Sequence, residues 1–306
     1  MKSTSAMRTE AAPIGRDPLP SYAVTELDRG DEARWDDFVR ASAGGTFYHL
    51  SGWRGIFENN LRHRTYYLAC EAGGELHAVL PLVHVKTFLG NALVSVPFLV
   101  YGGPVASNPD AEQAVVARAR ELAHELGVDH LELRNQRPLD DTLHGSDWQT
   151  SISHATFRKA IDPDPEKNLK AIPRKQRAMV RKGIQAGLSW ELDDDASRLY
   201  RALLECKRNL GTPFFGRRYL QAVKDTFGEQ AEILTVVRGT DTICSVMSFR
   251  YKDQVLPYYG GGGVLARNFA GNDYMYWCVM EKACQEGVRL FDYGRSQIGS
   301  GAYKFK

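Results

Sequence analysis

The sequence is short of paired cysteine. Its five cysteines, Cys70, Cys206, Cys244, Cys278 and Cys284, contain no C-x-x-C pair and are odd in number. A disulfide framework or a zinc knuckle needs closer, paired spacing, so both are excluded, and buried or free thiols in a reducing compartment are expected. Histidine is missing from the second repeat and everything beyond residue 154: all eight lie between His49 and His154. That excludes a His–Asp or His-ligated metal site there, and the N-terminal histidines lack H-x₃-H or H-E-x-x-H spacing, so no metal is expected. There is no G-x-S-x-G elbow to present a nucleophilic serine, no Walker A motif, and no G-x-G-x-x-G in a Rossmann setting. Long apolar runs are also lacking, because the most apolar stretch, 92–105, is broken by Pro97, Gly102, Gly103 and Pro104 and is too short to cross a bilayer. Charge of one sign is scarce as well: Lys+Arg is 39 against Asp+Glu 37, a formal net charge of +2, which excludes a uniformly basic nucleic-acid binder and leaves room for a local patch.

What is present fits a soluble globular chain. The 306 residues are 43% hydrophobic and 25% charged, a length that suggests two domains. Residues 1–20, rich in Ser, Ala and Pro without an apolar core, read as a disordered leader and not a secretory signal, and a cytoplasmic location is expected.

One pattern occurs twice. In the first half, 66–85 reads as two strands about Gly73-Gly74, 96–105 as a buried strand ending in Tyr-Gly-Gly, 112–127 as a helix stopping at Gly127, and 128–135 as a strand. In the helix, Val115, Val116, Ala119, Leu122, Ala123 and Leu126 share one face. In the second half, 232–254 is again two strands, 255–264 a strand ending in Tyr-Gly-Gly, 272–287 a helix stopping at Gly287, and 288–296 a strand. The order suggests a duplicated α/β domain, the other explanation being chance similarity of common α/β parts. The second helix is apolar on every face, from Tyr274 to Met280, and is expected to be enclosed at the junction between the domains.

Between the units lies a basic segment. Lys167, Lys170, Arg174, Lys175, Arg177, Arg181 and Lys182 occur with no acid between Glu166 and Glu191. Pro173 suits the start of a helix, and Arg174, Arg177 and Arg181 then share a face. The segment is either a surface for phosphate-bearing material or a solvated helix balanced by Asp193–Asp195.

Several stretches, in this order, resemble the FemAB-like acyltransferases, which carry two GNAT-like domains in tandem. They are FYHLSGWRGIF (47–57), AVLPLVHVK (78–86), the VPFLVYGGP strand end, IPRKQRAMVRKGIQAGL (172–188), LGTPFFGRRYL (210–220), the YYGGGG stretch and LFDYGRSQIGSGAYKFK (290–306). The last is the most specific, and it looks most like the subgroup that accompanies bacterial exopolysaccharide and exosortase systems. The matches cover roughly residues 22–306. The resemblance implies an α/β (α+β) fold of two tandem GNAT-like domains, each a mixed sheet flanked by helices. The expected divisions are a leader at 1–20, a first domain at 21–160, and a basic entry helix with the second domain at 161–306. The chain ends inside what resembles a longer F-K-x-x-[FW]-G stretch, so truncation at the C-terminus is an expectation.

The resemblance also implies transfer of an acyl or aminoacyl group onto an amine of a cell-envelope precursor, of peptidoglycan or exopolysaccharide type. The founding members draw amino acids from aminoacyl-tRNA and add them to a peptidoglycan stem peptide, whereas related GNAT-like proteins use acyl-CoA. The long coiled-coil arm of the bridge-building members, associated there with tRNA, has no counterpart here, since no sustained heptad occurs. That absence counts against the aminoacyl-tRNA reading; the resemblance implies acyl-CoA or aminoacyl-tRNA as co-substrate with no tightly bound cofactor, and as partners a phosphorylated or nucleotide-linked precursor and, in one version, tRNA. The alternatives are an acyl-CoA-dependent N-acetyltransferase on a sugar or small amine, and a non-catalytic polyanion- or RNA-binding protein.

Direct attack by an amine needs a proton acceptor, oxyanion stabilisation and protonation of the leaving group, and no covalent nucleophile. Asp292 could hold or deprotonate the amine and Arg295 could pair with a phosphate or carboxylate, or the two could form a structural pair. Tyr259 is a candidate acid or hydrogen-bond donor, or simply packing beside glycine. Gly260, Gly261, Gly262 and Gly263, leading to the helix start at Asn272, could offer backbone N–H groups to the donor, or serve a turn needing positive φ. The resemblance places Phe305 and Lys306 against the acyl-donor end, Phe305 stacking on a base and Lys306 stabilising the oxyanion, the alternative being an ordinary exposed lysine; Tyr303, like Tyr259, is a candidate acid or hydrogen-bond donor, or packing beside glycine. Arg174, Lys175, Arg177 and Arg181 are assigned to the acceptor's phosphates, in a groove shared with Asp292 and Arg295.

Overall fold

The computed structural model describes residues 21–88 and 90–306; the expected leader lies outside them. The chain begins with β1 (Ala23–Glu26), α1 (Glu32–Ala41) and α2 (Gly52–Gly55), then β2 (Arg64–Ala72), β3 (Glu75–Thr87), β4 (Gly90–Val94), β5 (Val105–Ala106), α3 (Pro109–Glu125), β6 (His130–Glu132) and α4 (Asp141–His144). Glycines at 73 and 74, both at positive φ, turn β2 into β3. The sheet runs β1-β2-β3-β4-β6, with β5 also on β3 and a parallel pairing of β4 with β6. Alternation along β2 buries Tyr66, Leu68 and Cys70 under α3, and Tyr67 and Ala69 on the opposite face. Asn108 caps α3 by accepting from the Ala111 N–H at 2.9 Å, and Pro109 opens it.

The expected strand at 96–105 does not form. The strand is earlier, at β4, and 95–104 is irregular, with Val96, Phe98 and Tyr101 all left-handed. Close packing holds that shape: a Cβ on Gly102 would come within 2.0 Å of Val96 Cγ2, and one on Gly103 within 1.9 Å of Asn135 Oδ1.

A buried histidine ties this loop to the Phe47–His49 turn. His49 Nδ1 accepts from the Thr46 N–H at 3.1 Å, so Nε2 carries the proton and donates to the Gly103 carbonyl at 2.7 Å. Burial lowers the His49 pKa to about 4, opposed by the Gly103 carbonyl, which favours the cation. The unfolded chain therefore binds a proton near pH 6.5 that the folded chain refuses until about pH 4. This contribution is intact above pH 6.5 and is lost as pH falls to 4, by about 3 kcal/mol in total. Urea denaturation across that range should show the loss, and His49→Gln should flatten it; an equal pH slope in the variant would refute the assignment.

The second unit contains β7 (His154–Ala160), α5 (Pro165–Ala171), α6 (Arg174–Gln185), β8 (Ser189–Asp193), α7 (Ser197–Leu210), α8 (Arg217–Phe227), β9 (Ala231–Arg238), β10 (Asp241–Tyr251), β11 (Gln254–Gly262), α9 (Val264–Asn268), α10 (Gly271–Gln285), β12 (Leu290–Gln297) and α11 (Gly301–Phe305). Its sheet runs β7-β12-β11-β10-β9-β8. Strands β8 to β12 repeat the order of β1, β2, β3, β4 and β6, including the one parallel pair, β11 with β12. The repeat read in the sequence is thus realised as two mixed sheets flanked by helices. β7, assigned to the first unit by a boundary at 160/161, pairs with β12 and is an edge of the second sheet.

One face of this sheet, here the helical face, packs on α10, which α5 and α6 cover in turn. That covering, not a domain junction, is why α10 is apolar all round. The other face receives α7, α8 and the first unit, and its core is continuous with the first unit's: the Phe47 ring lies 4.6 Å from both Phe227 and Phe249. A Cβ on Gly52 would lie 2.8 Å from Thr226 Cγ2, so the FYHLSGW stretch is an inter-unit contact.

Candidate active site

Strands β11 and β12 pair only at Gln254–Leu290 and Val255–Phe291. Beyond these they are no longer hydrogen-bonded. A register shift in the β12–β7 ladder lies between Asp292 and Arg295, where Gly294 takes φ +70°, and β11 is irregular against β10 opposite Ser248. The result is an opening in the sheet beside Asp292.

Asp292 is fully buried. Its Oδ1 accepts from the Gly294 N–H at 2.7 Å and the Thr156 hydroxyl at 3.2 Å, and its Oδ2 from Arg158 Nε at 2.8 Å. A carboxylate has about four acceptor positions, so one on Oδ2 remains open. The Arg158 guanidinium also donates to Gln136 Oε1 at 3.1 Å and lies over the Tyr101 ring, whose hydroxyl meets the Thr156 hydroxyl at 2.5 Å. Both units therefore contribute to this network.

Two cavities flank the opening. On the inter-unit face, Thr46, Tyr48, Tyr101, Arg158, Leu256 and Asp292 are among the residues around a small cavity of about 20 Å³, enough for one water-sized group. The Tyr48 hydroxyl is buried there with no hydrogen-bond partner among the described residues, and burial raises its pKa well above the ordinary tyrosine value. On the helical face, a cleft of about 360 Å³ lies between α6, α10, α11 and β12. Tyr276, Trp277, Tyr293 and Phe305 form its aromatic walls, and Lys159, Lys304, Lys306 and, alone among acids of the described residues, Asp273 also line it. Burial lowers the Lys306 pKa, opposed by the Asp292 charge, and Lys306 Nζ donates to the Gly294 and Arg295 carbonyls at 3.2 and 3.3 Å. Arg158 borders both cavities.

The residues expected from sequence divide between these places. Asp292 lies on the inter-unit face, and Phe305 and Lys306 line the cleft. The Tyr303 ring packs on Phe157 at 5.2 Å, and Asn272 is half-buried in the first turn of α10. Arg295 is exposed and in no ion pair among the described residues. Tyr259 does not reach either cavity: its hydroxyl is buried against that of Tyr219 at 2.8 Å, and burial raises its pKa.

The glycine run also differs from expectation. Gly260, Gly261 and Gly262 continue β11 in register with β10, and a Cβ on Gly261 would meet the α7 backbone at 2.8 Å. Gly261 lets α7, and Gly262 lets α9, approach the strand closely. At Gly263 the following N–H, of Val264, donates to Glu205 Oε1 at 3.1 Å.

The shared groove of basic segment and Asp292 does not form. Arg174, Lys175, Arg177 and Arg181 lie on α6, which packs on α10, and so are on the helical face while Asp292 is on the other. Nor does Asp193 balance them, since it pairs with Arg198. Sequence reasoning missed Arg158, Thr156 and the Tyr48 hydroxyl. Arg158 sits 134 positions from Asp292, so no local pattern marks the pair.

Comparison with known proteins follows this geometry. Residues 167–306 match a family model described as an acetyltransferase (GNAT) domain. Over 92% of both chains the protein superposes on FemX with a TM-score of 0.67 at 14% identity. The chain has a FemAB-like tandem GNAT fold. A tandem GNAT protein from the clavulanic acid biosynthesis pathway shares this fold, with a TM-score of 0.55 at 15% identity over 92% of this chain and 91% of that one. So does the C-terminal domain of a putative lysylphosphatidylglycerol synthetase from Agrobacterium fabrum, with 0.53 at 13% identity over 90% and 82%. No curated protein matches the chain. In this tandem GNAT fold the second unit carries the matched domain, and both cavities border its sheet. Among the described residues no helix is long and apolar enough to cross a membrane, and no cluster of metal-ligating side chains occurs.

Proposed function

We propose that the protein transfers an acyl group from coenzyme A to an amine of a cell-envelope precursor. The observation that carries this is the opening between β11 and β12, with a cleft on the helical face, a small cavity bordered by Asp292 and Tyr48 on the other, and Arg158 bordering both. At about 360 Å³ the cleft is within the usual range for a small molecule, and the GNAT match favours a coenzyme A thioester as donor. The FemX and lysylphosphatidylglycerol synthetase likenesses support an envelope precursor as acceptor.

In this mechanism the amine nitrogen enters the inter-unit cavity, where the open acceptor position on Asp292 and the unpartnered Tyr48 hydroxyl orient it. Lys306 has used two of its three N–H groups on carbonyls, which leaves one for the oxygen of the tetrahedral intermediate. The amine attacks the thioester carbon, the C–S bond breaks, and the proton lost from nitrogen ends on the sulfur.

Ligand-dependent thermal shift tests the donor and the acceptor class together. Acetyl-CoA and a UDP-linked peptidoglycan precursor are each expected to raise Tm. Stabilisation by an aminoacyl-tRNA end mimic without any from acetyl-CoA would replace the donor by an aminoacyl ester. Silence from all three would overturn the enzyme assignment and favour a polyanion-binding protein.

A further inference from the structure

The donor's phosphates have two conceivable sites, and the structure separates them. The first is the turn at Gly263, ahead of α9. Glu205 from α7 fills it: its Oε1 accepts from the Val264 N–H, and a Cβ on Gly263 would lie only 1.6 Å from that oxygen. A phosphate approaching this turn meets a carboxylate already in the hydrogen-bonding position, with like charge opposing it.

The second is the mouth of the helical-face cleft. Pro173 and Gln176 of the α6 end line the cleft, and between them Arg174 and Lys175 are exposed with no ion-pair partner among the described residues. Lys304 lines the cleft from α11, and Arg177 is steadied by donating to the Lys170 carbonyl at 2.5 Å. Arg174 and Lys175 thus adjoin two residues of the cleft wall, Lys304 lines it directly, and among the described residues the one acid lining it is Asp273. An exposed cation without a protein partner has no ion pair to give up on turning to a phosphate, whereas Glu205 would have to be displaced.

We infer that Arg174 and Lys175, with Lys304, hold the phosphates of a coenzyme A donor at the mouth of the helical-face cleft, and that Glu205 closes the glycine turn to them. This rests on the acyltransferase assignment for the donor's identity, but it concerns a binding site that can be measured without turnover. It also moves the basic helix from acceptor to donor.

The test is calorimetric titration of the full chain with desulfo-coenzyme A and, separately, with adenosine 3′,5′-bisphosphate. Both are expected to bind. Arg174→Gln with Lys175→Gln should weaken both by about tenfold or more, and raising the salt concentration should narrow that gap. Both side chains are exposed, so the fold should be untouched, and Glu205→Gln should leave affinity within about twofold. Tighter binding in Glu205→Gln with no change in the α6 variant would place the phosphates in the glycine turn and overturn the inference, as would absence of binding to the unsubstituted chain. An RNA minihelix with a terminal adenosine that competes at lower concentration than desulfo-coenzyme A would overturn the choice of donor. Coenzyme binding without transfer to any amine would instead count against the acyltransferase assignment alone.

Discussion

Arg158→Met is expected to destabilise the fold by about 2–4 kcal/mol. The partner it abandons, Asp292, is fully buried, and removing the cation from an enclosed pair costs roughly 3–5 kcal/mol. The guanidinium is itself about one-third exposed, so water replaces part of what is lost and the lower range applies. Adding Asp292→Asn should recover part of the loss, because the stranded charge is then gone. Equilibrium denaturation of the two single variants and the double variant measures this coupling. A loss below about 0.5 kcal/mol in Arg158→Met would show that Thr156 and Gly294 suffice to hold the carboxylate. Transfer activity should fall in the same variant, since Arg158 orients Asp292 at the opening in the sheet.

Phe47→Ala should cost about 3–5 kcal/mol, the usual range for a buried phenylalanine. The ring is almost wholly buried and packs 4.6 Å from both Phe227 and Phe249, so its loss opens a cavity bordered by both units. The expected readout is a lower denaturation midpoint and a transition that broadens or splits, because the shared core is what couples the units. A loss below about 1 kcal/mol with a single sharp transition would mean that the remaining inter-unit contacts carry that coupling.

The repeat was legible because it rests on local signals. Gly73 and Gly74, Gly127, Gly239 and Gly287 all take positive φ where the sequence shows a turn or a helix stop. The irregular 95–104 loop was not legible, because apolar Val96, Leu99 and Val100 look like a buried strand and are indeed buried. Their backbone is set by Asn135 and Arg134 from a distant segment, as the Arg134 hydrogen bond to the Leu99 carbonyl at 2.8 Å illustrates. The glycines at 260–262 misled for a related reason: a glycine needed for close helix packing is indistinguishable in sequence from one needed to approach a phosphate. Phe305 and Lys306 emerged through family resemblance, while Arg158 depended on strand pairing that only the fold supplies. The side of the sheet on which a charge falls is equally a tertiary property, which is why the α6 cations and Asp292 were grouped together although the sheet separates them.

The central claim is that an acyl group passes from a thioester to an amine at the opening between β11 and β12. Its most direct test is mass analysis of a UDP-linked, amine-bearing peptidoglycan precursor incubated with acetyl-CoA and the full chain. The account predicts an acetylated amine and an equivalent of free coenzyme A thiol, both dependent on the precursor and both sharply reduced in Lys306→Met. Unmodified precursor, under conditions where acetyl-CoA and the precursor are each shown to bind, would contradict it.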